Sequence, residues 1–321
     1  MSVALVTGVT GQDGSYLVDR LLEDGVEVHG MVRAGDPSTG QLRSAHPQVH
    51  LHETDLADGP GLHRLVREVA PDQLFNLAGI SSVATSWEQP GLTGLLSGLA
   101  VAELLAAALD VQESTGRPVA VVQASSAEIF GEPDRVPQDE ATAVRPTNPY
   151  GAAKAYAHHM SGIYRSRGLA VSSCILFNHE SPRRPPAFVT RKITQAAARI
   201  GREGTGEIAL GNLDARRDWG WAPDYVDALV RAANHPGGGD FVVATGETHS
   251  VAEFAAAALA RVGIVDWERW VRTDPAFVRP TDTAQLVGDP TRAREVLGWT
   301  PTRSFSEVVH AMVDHDVQLL G

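Results

Sequence analysis

A short apolar strand, a glycine-rich turn and an amphipathic helix follow one another directly at the start of this chain and limit its possible folds. The run Val3–Thr7 is apolar and rich in β-branched residues, and Gln12–Glu23 has apolar residues at helical spacing. The glycines between them follow the pattern G-x-x-G-x-x-G, which allows a tight turn and directs backbone N–H groups at the positive end of a helix. This arrangement predicts a site for a dinucleotide pyrophosphate. Its predicted residues are Gly8, Thr10, Gly11, Gln12, Asp13 and Gly14.

The same order of strand and helix continues to Leu176. Strands alternating with helices of ten or more residues indicate βαβ units and a parallel sheet. The predicted class is therefore α/β, with a Rossmann-type parallel sheet flanked by helices. The remaining predicted elements of this region are Val26–Val32, Val49–Glu53, Gln73–Asn76, a helix near Gly91–Glu113, Pro118–Ala124, a helix at Pro149–Arg167, and Ala170–Leu176.

After Leu176 the pattern changes to turn-rich breaks between isolated helices. Helices are predicted near Phe188–Arg199, Val251–Val262 and Ser304–Leu319. We therefore predict a smaller mixed α/β C-terminal lobe that binds substrate against the carboxyl ends of the strands. The predicted dinucleotide-binding domain comprises residues 1–177 with a returning segment near 221–246. The predicted substrate lobe comprises residues 178–220 and 247–321.

Charge and cysteine content argue against several classes of protein. The formal net charge of −12 disfavours a nucleic-acid partner. No apolar run is expected to reach the roughly 20 residues of a membrane span, and the first residues lack the features of a signal peptide, so no membrane partner is expected. The single cysteine, Cys174, allows no internal disulfide and no cysteine-based metal site. We expect a cytoplasmic protein without a metal site.

Residues that follow the second, third and fourth strands predict how the dinucleotide is held. Arg33, at the end of the second strand, suits a 2′-phosphate and favours NADP, whereas the nearby Asp36 leaves NAD open. Asp55 and Leu56 follow the third strand and suit the adenine side. The small or apolar residues that would line the cofactor channel after the fourth strand are Leu77, Ala78 and Gly79.

Tyr150 and Lys154 form the main catalytic signal. Only two of the 27 basic residues are lysines, Lys154 and Lys192, although the arginine excess can also reflect genome composition. Four helical residues rise about 6 Å, so Tyr150 and Lys154 share one face. A neighbouring ammonium favours the phenolate and would lower the pKa of Tyr150, which makes it a candidate general base. Lys154 could also hold the nicotinamide ribose.

Ser126 and Glu128 follow the fifth predicted strand and are candidates for the same site. The Ser126 hydroxyl can hydrogen-bond the reacting oxygen beside Tyr150. Glu128 would face the same side if the strand continued, because side chains two apart share a face. It could then serve as a second acid or base, and a solvated loop carboxylate is the alternative interpretation.

Together these residues resemble the extended short-chain dehydrogenase/reductase family, and specifically its GDP-mannose 4,6-dehydratase branch. The glycine turn and the Tyr–Lys pair are typical of the whole superfamily, whereas three further motifs are specific to the branch. The resemblance extends from Val3 to about Leu319. The matching motifs are TGVTGQDGSYL, ASSAEIFGEP, NPYGAAKAYAHH, RPTDTAQLVGD and, most specific, FNHESPRR, FVTRKI and DARRDWGWAPDYV.

The resemblance implies an NADP-binding Rossmann domain, a nucleotide-sugar lobe and conversion of GDP-mannose to GDP-4-keto-6-deoxymannose and water. It implies that Tyr150 deprotonates the sugar 4-hydroxyl as hydride leaves C4. Glu128 would remove the C5 proton and help expel the 6-hydroxyl, and the hydride would return to C6. Ser126 stands where the family usually has threonine and keeps the hydroxyl.

The same resemblance implies a set of substrate-binding residues, whose basic members would neutralise a diphosphate. The sequence departs from the family pattern at three positions. Ala34 interrupts the family's usual Arg-Arg-Ser run. This leaves open whether the cofactor is NADP or NAD, and whether the protein is a dimer or a tetramer. Ile80 and Ser82 replace glutamine and histidine near the hexose, which leaves the sugar open. The implied substrate-binding residues are Ser81, Asn178, Glu180, Val189, Lys192, Arg217 and Arg279.

Two other functions remain open. A nucleotide-sugar 4-epimerase or 3,5-epimerase, or a dehydratase of another NDP-hexose, would also need Tyr150 and Lys154, but an epimerase would not need the elimination assigned to Glu128. A non-catalytic NADP-sensing module would be expected to lack one of the Tyr–Lys pair. In this family the helices near Gly91–Glu113 and at Tyr150 pair across a dimer, so we predict a homodimer or homotetramer.

Overall fold

A seven-stranded parallel sheet lies at the centre of the molecule. The computed structural model describes residues 2–277 and 285–321. The strands in this part of the chain are β1 (Val3–Thr7), β2 (Glu27–Val32), β3 (His50–Glu53), β4 (Gln73–Asn76), β5 (Ala120–Ser126), β6 (Ala170–Leu176), β7 (Asn178–Glu180), β8 (Ile208–Leu210), β9 (Arg216–Arg217), β10 (Trp219–Trp221), β11 (Gly238–Val243), β12 (His249–Ser250), β13 (Val271–Thr273) and β14 (Gln285–Leu286).

The strand order of the large sheet is β11-β6-β5-β4-β1-β2-β3, and all its neighbouring strands are parallel. The predicted Rossmann-type sheet is therefore confirmed. Strand β11 lies inside the returning segment 221–246. The direction of winding reverses between β1 and β4, and open α/β sheets bind their ligands at such a switch point.

Helices cover both faces of the sheet because its strands are apolar on both sides. Adjacent residues of β4 show this, since Leu74 and Phe75 are both buried but belong to two different cores. The helices are α1 (Gln12–Glu23), α2 (Thr39–Ala45), α3 (Gly59–Val69), α4 (Val83–Glu88), α5 (Pro90–Gly94), α6 (Ala100–Thr115), α7 (Pro149–Ser166), α8 (Val189–Glu203), α9 (Ala222–Ala233), α10 (Val251–Arg261), α11 (Thr291–Leu297) and α12 (Phe305–Leu320).

A third hydrophobic core belongs to the C-terminal lobe. It joins α8, α10 and α12 through buried residues such as Ile193, Phe254 and Met312. Two small sheets, β12-β9-β14 and β13-β8, complete this part. Helix α9 instead packs on α1, and Leu229 shares a core with Leu17.

Helix α3 is present in the structure but was not predicted from the sequence. Its first turn contains Gly59, Pro60 and Gly61, a composition typical of a turn. The helix begins there because the Asp58 carboxylate accepts a hydrogen bond from the Gly61 backbone N–H at 3.0 Å. Burial of its apolar face, including Leu62, then stabilises the helix.

The continuous helical segment 90–115 corrects the expectation that no apolar run reaches the length of a membrane span. It joins α5 to α6 through a π-helical turn at Leu95–Leu99. By length and composition alone it could cross a bilayer, because its most apolar window has a mean hydropathy of 1.9. However, 56% of that window is buried inside the molecule, where Leu104 and Leu105 pack against α3. Core packing therefore accounts for much of its apolar composition.

Candidate active site

The glycine turn between β1 and α1 packs against the end of β4 with no room for side chains. Gly8 has a φ of +70°, and a Cβ there would lie 2.8 Å from the backbone nitrogen of Ala78. A Cβ on Gly14 would lie 2.2 Å from the carbonyl oxygen of Gly8. Glycine is therefore required at both positions. Bare backbone at the start of a helix is the kind of site that binds phosphate groups, so the pyrophosphate site stays the prediction for this turn.

A buried polar chain crosses the carboxyl ends of three strands and reaches the proposed catalytic lysine. The Thr7 hydroxyl donates to the Asn76 carboxamide oxygen at 2.6 Å, and the Asn76 amide donates to Gln123 at 2.7 Å. Gln123 donates to the carbonyl oxygen of Ala124 at 2.9 Å, and Lys154 Nζ donates to the same oxygen at 2.7 Å. The ends of β1, β4 and β5 thus fix the position of Lys154.

Glu128 lies in a 3-10 turn, not in a continuing strand. The condition that the strand continues to Glu128 is not met, because Ser126 ends β5 and its hydroxyl accepts a hydrogen bond from the Glu128 backbone N–H at 3.2 Å. The turn still brings the Glu128 carboxylate to the start of α7. There Asn148 Nδ2 donates to it at 2.7 Å, while Asn148 Oδ1 caps α7 by accepting from Gly151 N at 2.8 Å.

Burial, not the neighbouring Lys154 ammonium, has the largest effect on the pKa of Tyr150. It raises the pKa of Tyr150 to about 12, and a hydrogen bond with Ser126 opposes the increase. Burial also lowers the pKa of Lys154 to about 8. The expected lowering of the tyrosine pKa by Lys154 is therefore wrong. The ammonium donates to Ala124 and lies 5.8 Å from the centre of the Tyr150 ring.

Helix α7 approaches the Glu128 turn so closely that Gly151 has no space for a side chain. A Cβ on Gly151 would lie 2.4 Å from the carbonyl oxygen of Glu128. We expect Gly151→Ala to lower the free energy of unfolding by about 1–3 kcal/mol and to reduce activity, because α7 must move away from Glu128. Chemical denaturation measures the first effect.

Gly162→Ala on the same helix is the matched control for this substitution. Among the described residues, no atom outside its own helix lies within 4 Å of a Cβ at Gly162. Alanine there should stabilise the protein by up to about 1 kcal/mol through its higher helix propensity. Equal stabilities for the two variants would contradict the close approach of α7 to Glu128.

A second polar group connects the glycine turn to β7 and the residue that follows it. The Ser181 hydroxyl donates to Gln12 Oε1 at 2.8 Å, and Gln12 Nε2 donates to the carbonyl oxygen of His179 at 3.1 Å. His179 Nε2 lies 2.9 Å from the Asp13 carboxylate, and its Nδ1 lies 2.7 Å from the carbonyl oxygen of Phe177. Both ring nitrogens therefore face acceptors, which favours the imidazolium form.

The charges of His179 and Asp13 stabilise one another inside the site. Burial lowers the pKa of His179, but the charge of Asp13 and its hydrogen bond outweigh burial, so the net shift is upward. Burial likewise raises the pKa of Asp13, and the interactions with His179 outweigh it, so the net shift is downward. Asp13, predicted from the glycine turn, is thus held by a residue of β7.

Sequence reasoning missed three residues of this site: Asn148, His179 and Arg184. Arg184 lies near enough for its charge to act on the pKa of Tyr150, Asp13 and His179. His179 and Arg184 both occur in the FNHESPRR motif, of which the predicted set contains only Asn178 and Glu180. Strand alternation was a usable signal, because in β7 the side chain of His179 must face away from those of its two neighbours.

The predicted substrate-binding residues lie at several places around the lobe. Glu180 is buried, accepts a hydrogen bond from the Thr190 hydroxyl at 2.6 Å and lies 3.2 Å from Arg184 Nε. Its implied contact with substrate stays a prediction. Lys192 Nζ donates to the carbonyl oxygen of Ala209 at 2.7 Å.

The other members of that set are more dispersed. Arg217 is buried in β9 and donates to the carbonyl oxygen of Arg216 at 2.8 Å. Asn178 begins β7, Val189 begins α8, and Ser81 is exposed between β4 and α4. Arg279 lies outside the described residues.

The predicted cofactor residues lie along the carboxyl ends of β1 to β4. Arg33 and Asp55 are exposed immediately beyond β2 and β3, and Leu56 is half-buried. The Asp36 carboxylate accepts hydrogen bonds from the Thr10 hydroxyl at 2.7 Å and from the Ser38 backbone N–H at 2.9 Å. The Asp36 carboxylate is therefore hydrogen-bonded to the glycine turn through Thr10. The residues that follow β4, as predicted, are Leu77, Ala78 and Gly79.

Comparison with known proteins supports the resemblance across the whole chain. The family described as GDP-mannose 4,6 dehydratase matches residues 5–312. GDP-mannose 4,6 dehydratase 1 of Arabidopsis thaliana is 42% identical over 327 residues, which cover 99% of this chain and 90% of that protein. The Homo sapiens GDP-mannose 4,6 dehydratase is 40% identical over 347 residues, which cover 99% of this chain and 92% of that protein.

Solved structures of related enzymes have the same fold. UDP-glucose 4-epimerase from Thermus thermophilus, solved with NAD, is 28% identical and superimposes with a TM-score of 0.84. The match covers 98% of each chain. The similarity therefore includes both the sheet and the C-terminal lobe.

Proposed function

The chain belongs to the GDP-mannose 4,6-dehydratase family, and we propose that it is a hydro-lyase that converts GDP-mannose to GDP-4-keto-6-deoxymannose and water. One observation carries this proposal. Ser126, Glu128, Tyr150 and Lys154 meet at the end of β5, where Asn148 hydrogen-bonds both the Glu128 carboxylate and the first turn of the tyrosine helix. This arrangement supports the assignment of two neighbouring proton-transfer groups, Tyr150 and Glu128, which a 4,6-elimination requires.

Tyr150 is the proposed base for the sugar 4-hydroxyl. Burial raises the pKa of its phenol to about 12, so Tyr150 needs nearby positive charge to lose its proton. Arg184 already acts in that direction, and Lys154 lies on the same face of α7. Ser126 hydrogen-bonds Tyr150 and is positioned to orient the same substrate oxygen.

Glu128 is the proposed acid and base for the elimination. A ketone at C4 acidifies the C5 proton, which Glu128 takes, and the same proton then leaves with the C6 hydroxyl as water. Tyr150 returns its own proton to C5, so both residues end the cycle in their starting states. Asn148 holds the Glu128 carboxylate in place for this step.

A nicotinamide cofactor fits the glycine turn, where side chains would block its phosphates. When bound, the cofactor would supply the redox chemistry, taking the hydride from C4 and returning it to C6. Gly8, Gly11 and Gly14 would contact its pyrophosphate through backbone, and Lys154 would hold the nicotinamide ribose. Asp55 and Leu56 would border the adenine.

Lys154→Arg tests whether the buried ammonium has a special role. We expect kcat to fall by about 10²-fold or more, because a planar guanidinium cannot replace the compact ammonium beside Ala124. In the wild type, dinucleotide affinity should fall as pH rises through about 8, where the Lys154 ammonium loses its proton. The arginine variant stays charged and should lack this pH dependence. Calorimetric titration across this range measures it, and near-normal turnover would contradict the role.

We propose NADP as the cofactor, with NAD as the second candidate. Arg33 supports NADP because an exposed guanidinium beyond β2 suits a 2′-phosphate. Asp36 supports NAD because its carboxylate, bonded to Thr10, would repel that phosphate and can accept hydrogen bonds from ribose hydroxyls.

Two substitutions separate the contributions of these residues. Asp36→Ser is expected to raise affinity for NADP relative to NAD by about tenfold, since it removes one negative charge beside the turn. Arg33→Ala should weaken NADP binding and leave NAD binding nearly unchanged. Calorimetry with each dinucleotide measures both effects. Arg43→Ala, at another exposed arginine beyond β2, is the control. A wild type that binds NAD much more tightly than NADP would overturn the NADP proposal.

The activity itself is tested by incubating the cofactor-loaded protein with GDP-mannose. Mass spectrometry should show a product lighter by one water, with no net change in cofactor oxidation state. Intact GDP-mannose after prolonged incubation would reject the proposed substrate. Parallel incubations with other NDP-hexoses test whether Ile80 and Ser82 have changed sugar preference.

We also propose that two chains associate through α7 and the helical segment 90–115. Large apolar side chains are exposed on both elements, with Leu99 and Ile163 each 52% accessible. A homodimer would bury them, and a tetramer remains the alternative. Sedimentation analysis distinguishes these states, and a monomer at all concentrations would reject the interface. A cytoplasmic location stays a prediction from the sequence.

A further inference from the structure

A cluster of three histidines and one glutamate lies on β2 and β3, away from the proposed active site. Glu27 is the first residue of β2 and His50 the first of β3, and the two strands pair with His29 opposite His50. The cluster therefore lies towards the amino-terminal ends of the strands. The glycine turn follows the carboxyl end of β1, which runs parallel to β2. The dehydration mechanism does not use these residues.

Three side chains of this cluster converge with the spacing of metal ligands. Glu27 Oε1 lies 3.0 Å from His29 Nε2 and 3.8 Å from His50 Nε2. The ligand atoms of the three residues all lie within 4.8 Å of one another. Two ligands of a tetrahedral Zn²⁺ site, each about 2.0–2.1 Å from the ion, are about 3.4 Å apart. The two Glu27 distances bracket that separation, so small side-chain movements would complete the geometry.

His52 provides the supporting contact that such a site needs. His29 Nδ1 lies 2.9 Å from His52 Nε2, and the two rings are stacked with centres 5.1 Å apart. If His29 binds a metal through Nε2, its proton must be on Nδ1, where it can donate to His52. Metal-binding histidines commonly use their second nitrogen in this way, which fixes ring orientation.

We propose that Glu27, His29 and His50 bind one divalent transition-metal ion such as Zn²⁺, with His52 accepting a hydrogen bond from His29. Imidazole and carboxylate ligands suit Zn²⁺ and its neighbours in the transition series, and a water molecule would take the fourth position. In the part of the chain that the structure describes, β3 is an edge strand of the large sheet and pairs with β2 alone. The ion would join the two strands through side chains and stabilise that edge.

Zinc titration of the full-length, tag-free protein tests the site. Calorimetry should show one saturable ion per chain, and Zn²⁺ should raise the thermal unfolding midpoint. Glu27→Gln and His50→Gln are each expected to reduce Zn²⁺ affinity at least tenfold. The His50 side chain is 58% exposed, so its replacement should leave the fold intact.

His63→Gln is the matched control, because His63 also lies 3.0 Å from a carboxylate, that of Glu103, but outside the cluster. It should bind Zn²⁺ as tightly as the wild type. Co²⁺ gives an independent readout, since tetrahedral coordination produces intense visible absorption that His50→Gln should abolish. Absence of saturable binding, or equal affinity losses in His50→Gln and His63→Gln, would overturn the proposal.

Discussion

Tyr150→Phe is expected to lower kcat with GDP-mannose by about 10²–10⁴-fold, because it removes the only group proposed to take the 4-hydroxyl proton. The loss should fall on the first chemical step, so no oxidised sugar should form. Dinucleotide affinity should change little, since the glycine turn and Lys154 remain. Single-turnover measurement of the nicotinamide absorbance separates these effects.

Tyr164→Phe is the matched control for this substitution, because Tyr164 lies on the same helix and also loses only a hydroxyl. It should retain wild-type turnover. If Tyr150→Phe kept kcat within tenfold of the wild type, Tyr150 would not be the base. Ser126 or a bound water would then have to take the proton.

Glu128→Gln is expected to slow the elimination of water by about 10²–10⁴-fold and to leave the rate of the first hydride transfer largely unchanged. Glutamine keeps the shape of the side chain and can still accept the hydrogen bond from Asn148, but it cannot take the C5 proton. Reduced nicotinamide should therefore accumulate in a single turnover. In heavy water, the product of the wild type should carry deuterium at C5, and the variant should release little product.

Glu132→Gln provides the control for a carboxylate in the same loop, since Glu132 is exposed a few residues beyond the 3-10 turn. Its turnover should match that of the wild type. Normal water loss by Glu128→Gln would favour a different acid and base and would reopen the epimerase-like alternatives. The two variants thus test the two halves of the proposed reaction separately.

Local features of this chain were predictable because their causes are local. Helix α1 has the predicted bounds Gln12–Glu23, since the glycine turn and the apolar spacing both act within a few residues. Helix α7 begins at Pro149 as predicted, because Asn148 caps it and proline suits the first turn. The shared face of Tyr150 and Lys154 follows from helix geometry alone.

Contacts between distant segments were not predictable in the same way. The sequence predicts that Asn148 marks the start of a helix. Its second hydrogen bond, to Glu128, exists only because the 3-10 turn approaches α7. His179 and Asp13 are far apart in sequence, and only folding brings the β7 segment to the start of α1. The cluster of Glu27, His29 and His50 likewise depends on the register of two strands.

The sequence by itself thus determined the strand–turn–helix order, the parallel sheet, the catalytic residue types and the family. Tertiary structure decided which charges face one another and how strongly each proton is held. Burial raises the pKa of Tyr150 to about 12 and lowers that of Lys154 to about 8, opposite to what a simple ammonium–phenol pair predicts for the tyrosine. The physical reason is desolvation, which depends on every segment packed around a group and not on its neighbours in sequence.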